Sequence, residues 1–330
     1  MIHRRHSGFL SLLVLGATFG LVAPVRADVA EAVNDHILPG YAAFRDRAEA
    51  LAAEPSCEPA LLRPAFNAAF DAWLAVGHLH LGPSEEEGRA LAIAFWPDPK
   101  GMGQKAQKRL LAGDPADLEP DLFAQQSVAA RGLFALERLL YPEEPVATDT
   151  CPLIQATTAD LARMASAIEA GWTEGYAQSL LTAGAAGNDT YLNATEARQA
   201  LFTQLAAGLE FVADQRLGRP LGTFDRPRPE RAEARPSGRS LRNIALSLRA
   251  LRDLAVRLEP QSPQTQAAFD RALAEVEALD DPTLQGVGDP EHRLKIEIVQ
   301  QAVKSVRDTA IAEIAPALGV DLGFNSQDGD

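Results

Sequence analysis

The sequence lacks the short motifs that mark the most familiar classes of hydrolase. It contains no His-Glu-x-x-His, no Gly-x-Ser-x-Gly, no phosphate-binding glycine loop and no dinucleotide fingerprint. Only two cysteines are present, Cys57 and Cys151, and neither a Cys-x-x-Cys pair nor a Cys/His zinc spacing occurs. These absences argue against serine, cysteine and zinc hydrolases of the kind that a local motif reveals.

Long hydrophobic runs are also missing, except near the N-terminus. A basic start, His3-Arg4-Arg5-His6, precedes a short apolar run over 8–23, and Val25-Arg26-Ala27 resembles a small-residue cleavage site. We therefore predict that residues 1–27 form a signal peptide and that the mature chain is exported to the periplasm. No later stretch reaches the roughly 18 apolar residues that a membrane-spanning helix needs, so we expect no membrane span after cleavage.

Positive charge is scarce. The chain has 31 Lys and Arg against 45 Asp and Glu, a formal net charge of −14 at pH 7. Removing residues 1–27 takes away Arg4, Arg5 and Arg26 and no acidic residue, which leaves a net charge of −17. Such a charge argues against nucleic acid and anionic membrane surfaces as partners. It is compatible with a cationic ligand, although a solvated acidic surface gives the same charge.

The two cysteines have two interpretations. Export places the chain in an oxidising compartment, where a disulfide between Cys57 and Cys151 is stable. Two free thiols are the alternative. We favour the bridge, which closes a loop of roughly 95 residues and stabilises the fold by about 4 to 5 kcal/mol in the chain-entropy model.

Alternating strand patterns are absent, and helical periodicity dominates the chain instead. Helix-ending Pro and Gly residues separate the periodic segments. We predict helices over 29–53, 59–80, 121–141, 153–183, 193–216, 239–258, 262–279 and 291–318. Helices of this number and length suit an all-α fold of two packed antiparallel bundles. We place an N-terminal bundle at 28–185 and a C-terminal bundle at 186–330, and we expect a monomer.

One segment interrupts the helical pattern. Residues 217–238 form an Arg- and Pro-rich stretch before the helix that opens at Ser240. A flexible surface loop is one interpretation. An arginine-lined loop that pairs with carboxylates, or closes over an anionic group, is the other.

One carboxylate lies where apolar residues are expected. At about 100° per residue, Glu137 falls near the middle of an arc that carries Leu133, Phe134 and Leu140. An unpaired carboxylate in an apolar stripe costs several kcal/mol, so it must be paired, protonated or bound to something. We consider two roles: a carboxylate that contacts a ligand, and a buried structural carboxylate that pairs with an arginine such as Arg239.

The helix around Glu137 resembles the signature helix of imelysin-like proteins, which carries Gly-x-His-x-x-Glu. Five stretches share this resemblance in order along the chain: Trp73 with His80-Leu81-Gly82-Pro83, Phe95-Trp96-Pro97-Asp98, Gly132-x-Phe134-x-x-Glu137, the block from Arg235 to Ile244, and Gly323-Phe324-Asn325-Ser326-Gln327-Asp328-Gly329-Asp330. The resemblance implies an exported, all-helical bacterial protein with a site in the cleft between two lobes. Family members include a protein described as an insulin-cleaving peptidase and several proteins linked to iron acquisition.

The chain departs from the family pattern at one position. His and Glu three residues apart on a helix share a face and can share a metal ion. Here Phe134 replaces the His and offers no lone pair. A divalent metal or iron is therefore a conditional expectation, with Glu137 and a replacement imidazole, His80, as candidate ligands. His78 is the other nearby imidazole, whereas we expect His36 and His292 to be surface residues.

The resemblance and the residue pattern together define a candidate cleft. Its predicted ligand-contacting residues are Glu137, Phe134, Trp73, His80, Arg239, Ser240, Asn325 and Asp328. We expect the C-terminal segment with Asn325 and Asp328 to dock into the cleft, and a frayed acidic tail is the alternative.

Three functions fit these expectations. We favour a non-catalytic binding protein for a small ligand or metal ion, linked to iron or metal acquisition and working with an envelope iron-transport component. A scaffold that binds a partner protein or an envelope transporter is the second hypothesis. A metal-dependent peptidase whose histidine comes from His78 or His80 is the third. We predict no catalytic residue.

Overall fold

The computed structural model describes residues 29–143 and 148–321. The predicted signal peptide lies outside these residues, as does the C-terminal segment that carries Asn325 and Asp328.

The described residues are built from helices. Fourteen α-helical segments follow one another: α1 (Val29–Ala32), α2 (Leu38–Ala52), α3 (Pro59–Val76), α4 (Arg89–Ile93), α5 (Met102–Ala112), α6 (Pro120–Phe123), α7 (Gly132–Leu140), α8 (Cys151–Gly171), α9 (Ala177–Leu181), α10 (Ala194–Glu210), α11 (Gly218–Leu221), α12 (Ser240–Leu258), α13 (Pro263–Ala278) and α14 (Pro290–Leu318). Within 29–143 and 148–321 the extended pairing is limited to a single bridge between Thr223 and Arg226. The predicted all-α class is confirmed.

The long helices pack in two groups. Helices α2, α3, α7 and α8 contact one another, and so do α10, α12, α13 and α14. The contact between α3 and α12 joins the groups, and a continuous apolar core runs through both. The architecture of two packed helical bundles agrees with the prediction, while the boundary between 185 and 186 stays a prediction.

The predicted helix over 121–141 is wrong in its first half. The chain forms a short helix, then a 3₁₀ turn, and α7 begins only at Gly132. Gly132 has φ +71°, and a Cβ on it would lie 2.2 Å from the carbonyl oxygen of Ala92 and 2.3 Å from that of Ile93. Only glycine fits this conformation and this close approach. The apolar period over 121–141 therefore crosses a turn that the periodicity alone could not reveal.

Three π-helical segments join consecutive α-helices: Val33–Ile37, Trp172–Tyr176 and Phe211–Leu217. A π-helical turn inserts residues into an α-helix and redirects the side chains around it, and such turns occur frequently at functional sites. Two of these segments carry site residues, because His36 lies in the first and Phe211 and Arg216 lie in the third.

The predicted disulfide is confirmed. Cys57 precedes α3 and Cys151 is the first residue of α8, and the bond joins them with their Cα atoms 5.3 Å apart. The bridge thus ties the entry of α3 to the entry of α8. Among the described helices, none combines the length and the apolar character needed to cross a membrane.

Candidate functional site

A cavity of about 610 Å³ opens between the two groups of helices. One side is formed by the end of α3 and the segment 77–96 that follows it. The other side is formed by α12, the end of α10 and the π-helical segment Phe211–Leu217. Two of the predicted cleft residues, Trp73 and His80, line this cavity.

A charged pair stabilises the buried floor of the cavity. Arg216 Nε donates to Glu233 Oε2 over 2.6 Å, and its Nη1 donates to Ser247 Oγ over 2.7 Å. Asn243 Nδ2 also donates to Glu233 Oε2, over 3.0 Å. Because Glu233 is buried, these hydrogen bonds supply the compensation that a desolvated carboxylate requires.

The exposed rim of the cavity is acidic. Glu85 lies 3.0 Å from His80 Nδ1, Asp214 lies 3.5 Å from Lys304 Nζ, and Glu210 lies 3.4 Å from Arg307 Nη1. All six side chains are at least one-third exposed, so these pairs contribute little to stability. They place carboxylates around the entrance.

Aromatic rings form one wall of the cavity, and Phe134 packs behind them. Its ring stacks on Trp96 with centroids 6.4 Å apart and meets Phe70 edge-on at 5.5 Å. Trp96 also meets Phe211 edge-on at 6.0 Å. Both Phe70 and Trp96 line the cavity. At the position of the family histidine, Phe134 therefore supports an aromatic wall instead of offering a metal ligand.

Glu137 pairs with a serine rather than with an arginine. It is 4% exposed, and its Oε1 accepts hydrogen bonds from the backbone N–H of Ser237 over 3.1 Å and from Ser237 Oγ over 2.5 Å. Burial raises the pKa of Glu137, the two hydrogen bonds from Ser237 lower it in part, and the charge of Glu233 raises it further. Glu137 thus joins α7 to the end of the segment 217–238.

The segment 217–238 contains both exposed and tightly paired parts. Phe224 is exposed at its tip, whereas Ala232, Glu233 and Ala234 are buried. Glu233 pairs with Arg216 just before the segment, and Ser237 binds Glu137. Neither contact uses an arginine of the segment, so the role of its arginines stays a prediction, while Glu233 and Ser237 fasten the segment to Arg216 and Glu137.

The raised pKa of Glu137 predicts a specific pH dependence. A carboxyl whose pKa is higher in the folded state favours folding below its unfolded pKa, and this contribution is lost as the pH rises through the raised value. We expect Glu137→Gln to keep both hydrogen bonds from Ser237 and to remove the cost of burying a charge, so the variant is at least as stable as the wild type at pH 7.

Glu137→Ala is the matched comparison. It leaves the backbone N–H of Ser237 without its acceptor and Ser237 Oγ with only the carbonyl of Ala234, at 3.1 Å, and we expect a loss of roughly 1–3 kcal/mol. Urea unfolding at pH 4 and pH 7 measures both variants. A Gln variant as unstable as the Ala variant would show that the carboxylate is stabilised as an anion, which contradicts a raised pKa.

Arg239 and Ser240 lie beside the cavity, at the start of α12. Arg239 donates through Nη1 to Asn67 Oδ1 over 2.6 Å and through Nη2 to Asp71 Oδ1 over 2.5 Å, and its guanidinium lies 4.7 Å from the centroid of Phe70. Ser240 Oγ donates to the carbonyl of Glu233 over 2.6 Å. These two residues therefore position Phe70 and Glu233, which do line the cavity.

The described residues do not fit a metal ion at the signature helix. Phe134 has no donor atom, Glu137 is engaged by Ser237, and the exposed His80 contacts Glu85. In the ranges 29–143 and 148–321, no group of three or more His, Cys, Asp or Glu side chains is arranged to hold a metal ion. The donor atoms around Glu137 therefore do not form a coordination shell.

The prediction that His36 is a surface residue is wrong. His36 is 7% exposed; its Nδ1 lies 2.8 Å from Asp253 Oδ2, and its Nε2 lies 3.3 Å from His78 Nε2. The π-helical segment turns His36 inward against α12, which helical periodicity could not indicate. His78 lines the large cavity, whereas His36 and Asp253 line a second cavity of about 370 Å³.

Sequence reasoning missed several residues that build the site. Phe211, Asp214 and Arg216 were hidden because the period of the predicted helix 193–216 changes at the π-helical segment. Glu233 lies between two alanines, Ala232 and Ala234, and this small apolar setting was a signal that the carboxylate could be buried. Its partner Arg216 lies outside the Arg- and Pro-rich segment. Their pairing depends on how that segment folds back.

Comparisons with known proteins agree with the fold. Iron-regulated protein A of Synechococcus elongatus is 25% identical over 276 residues, which cover 77% of this chain and 73% of that protein. An imelysin-like protein from Psychrobacter arcticum superposes with a TM-score of 0.74 at 18% identity and covers 90% of this chain and 96% of its own. A protein described as a putative iron-regulated protein A precursor from Parabacteroides distasonis gives 0.60 at 14% identity, over 88% and 94% of the two chains.

The family model described as Imelysin, of peptidase type M75, matches residues 35–310. This match spans the paired helical groups, the cavity between them and the helix that carries Glu137. The chain belongs to the imelysin family.

Proposed function

We propose that this protein is a non-catalytic binding protein of the periplasm that serves iron acquisition by holding a small organic molecule between its two helical groups. The observation that carries the proposal is the cavity of about 610 Å³, which has a buried polar floor, an aromatic wall and a charged rim. Cavities of this size, lined by aromatic groups and a few placed polar groups, are typical of small-molecule sites.

The link to iron comes from the relatives. The protein from Synechococcus elongatus and the one from Parabacteroides distasonis are both named for iron regulation. The disulfide supports export, because such bonds persist mainly in oxidising compartments. The N-terminal pattern of residues 1–27 supports the same destination.

The signature helix favours an organic ligand over a directly coordinated metal ion. Phe134 occupies the position of the metal ligand in the family pattern and supports an aromatic wall, and Oε1 of Glu137 accepts two hydrogen bonds from Ser237. The polar groups on the cavity floor, Arg216 and Glu233, satisfy each other. The aromatic wall and the charged rim therefore remain to contact a ligand, and the proposal assigns no residue a catalytic role.

Blocking the cavity should abolish binding. Ala207 lines the cavity and is exposed on α10, so Ala207→Trp would fill the entrance without disturbing the core. Ala274 is exposed on α13 and does not line the cavity, which makes Ala274→Trp the matched control. Because a ligand that binds only the folded state raises the unfolding temperature, a thermal-shift screen of a small-molecule library reports binding.

The screen includes ferric citrate, free Fe³⁺ and Zn²⁺ as separate arms. We expect organic compounds to stabilise the wild type and the Ala274→Trp control but not Ala207→Trp. Stabilisation by the free metals alone, lost in Glu137→Gln, would replace the proposal with a metal site. Identical responses of the two Trp variants would show that the cavity is not where compounds bind.

A further inference from the structure

The charged groups that line the large cavity are mostly negative. Among the described residues, four carboxylates and one guanidinium contribute to the lining: Glu85, Glu210, Asp214, Glu233 and Arg216. The guanidinium does not offset the rim, because Arg216 is already paired with Glu233 at 2.6 Å. The remaining three carboxylates surround the entrance.

Two of the three basic partners of the rim lie outside the cavity, whereas His80, the partner of Glu85, lines it. Lys304 and Arg307, which pair with Asp214 and Glu210, both belong to α14, and neither lines the cavity. Each of these carboxylates lies closer to the cavity than its basic partner does, so the pair still produces a local field at the cavity entrance that attracts a cation. A positively charged group at the entrance therefore meets carboxylates first.

The aromatic wall already attracts cations from the protein itself. The guanidinium of Arg219 lies 5.9 Å from the centroid of Trp96, and that of Arg216 lies 5.0 Å from the centroid of Phe211. The faces of aromatic rings attract ammonium and guanidinium groups, and the attraction increases when water is excluded. Trp73 adds a further ring to the lining.

The histidine of the cavity wall does not oppose a cation. Burial, followed by the charges of His36, His80 and Arg216, lowers the pKa of His78 well below its ordinary value, so its ring is neutral. Its Nδ1 is buried without a hydrogen-bond partner among the described residues. His36 Nδ1 lies 2.8 Å from Asp253 Oδ2, and His36 Nε2 lies 3.3 Å from His78 Nε2, so the other ring nitrogen of His78 is the one left without a partner in the described ranges.

We propose that the cavity selects organic cations, with the cationic group held at the rim by Glu85, Glu210 and Asp214 and the apolar body packed against Trp73 and Trp96. This inference rests on the proposed function, since it names the class of molecule that the same cavity takes. A free amine and a metal chelate that carries an ammonium group share this chemistry. Carboxylates of similar shape are rejected.

Three probes of one shape test the charge preference. Phenethylamine, phenethyl alcohol and hydrocinnamate present an ammonium, a hydroxyl and a carboxylate on the same aromatic body. We expect calorimetry at low ionic strength to give binding about tenfold tighter for the amine than for hydrocinnamate, with the alcohol between them. The preference should shrink as salt is added, because salt screens the exposed rim.

A rim variant identifies the residues responsible. Glu85→Gln, Glu210→Gln and Asp214→Asn together remove three charges from the entrance. Glu174→Gln, Glu275→Gln and Asp280→Asn remove the same charge from exposed positions that do not line the cavity. We expect the rim variant to lose the preference for the amine and the control to keep it.

A further pair of probes distinguishes a free amine from a metal chelate that carries an ammonium group. Ferrioxamine B carries an ammonium group that its N-acetylated form lacks, so preferential binding of ferrioxamine B indicates a cationic chelate and binding of phenethylamine alone indicates a free amine. Equal binding of amine and carboxylate, or an unchanged preference in the rim variant, overturns the inference while the library screen still supports a binding cavity. If none of the probes binds, the inference that the cavity selects organic cations is also overturned. The thermal-shift screen of the small-molecule library then tests the proposed function independently.

Discussion

Replacing Arg239 with Met is expected to destabilise the protein by roughly 3 kcal/mol, because the hydrogen bonds of the buried guanidinium to Asn67 and Asp71 are lost, and a hydrogen bond of a charged group contributes about 1.5 kcal/mol or more. The Arg239 side chain is 3% exposed and contacts Asn67, Asp71 and Phe70, all on α3. It therefore joins the two helical groups at the side of the cavity. Denaturant unfolding measures the change, and an unchanged midpoint would contradict this role.

Arg242 provides a control that shares the same carboxylate. Its guanidinium also binds Asp71, but the Arg242 side chain is 57% exposed. Burial alone would raise the pKa of Asp71, and hydrogen bonds from Arg242 and Arg239 outweigh this and hold the pKa below its ordinary value. Exposed ion pairs contribute about 0–1 kcal/mol, so Arg242→Ala should have a small effect. Equal losses in the two variants would mean that burial of Arg239 is not the deciding factor.

Removing the disulfide should destabilise the protein about as much as replacing Arg239 with Met. The bond between Cys57 and Cys151 joins positions 94 residues apart, and loss of such a bond costs roughly 2–5 kcal/mol. We expect the double variant Cys57→Ser, Cys151→Ser to unfold at a lower denaturant concentration than the wild type. The wild type treated with a reductant should match the double variant, and the reductant should leave the double variant unchanged. A wild type indifferent to reductant would contradict a stabilising bridge.

The fold could be predicted from the sequence because helix periods and helix-ending residues repeat along the whole chain. The helices predicted over 239–258 and 291–318 begin and end within one residue of the observed bounds, and the helix predicted over 59–80 begins at Pro59 but ends at Val76. The helix α5 was missed, since its sequence is polar overall and only Gly103, Gln107 and Leu110 are buried in it. The turn at Gly132 was missed because the apolar residues continue in phase on both sides of it.

The site could be predicted only in part. Trp73 and His80 were identified through a resemblance and line the cavity, and Glu137 was identified because a carboxylate in an apolar stripe requires a partner. The identity of that partner, Ser237, depends on how a segment one hundred residues later folds back. The inward turn of His36 depends on a π-helical segment, and such segments have no signature in the hydrophobic period.

The replacement of histidine by Phe134 links the sequence to the proposed function. In the sequence it removes a metal ligand, and in the structure it supports the aromatic wall through Trp96 and Phe70. Phe134 thus gives this face of α7 an apolar character beside the buried Glu137. For this reason we propose an organic ligand for the cavity.

The role of the cavity is tested most directly by native mass spectrometry of the mature protein purified gently from iron-starved cells. We expect a stoichiometric organic molecule bound to the wild type and to Ala274→Trp and missing from Ala207→Trp. A protein that carries only a metal ion, or the same molecule bound to both Trp variants, would contradict the claim that the cavity between the helical groups is the binding site.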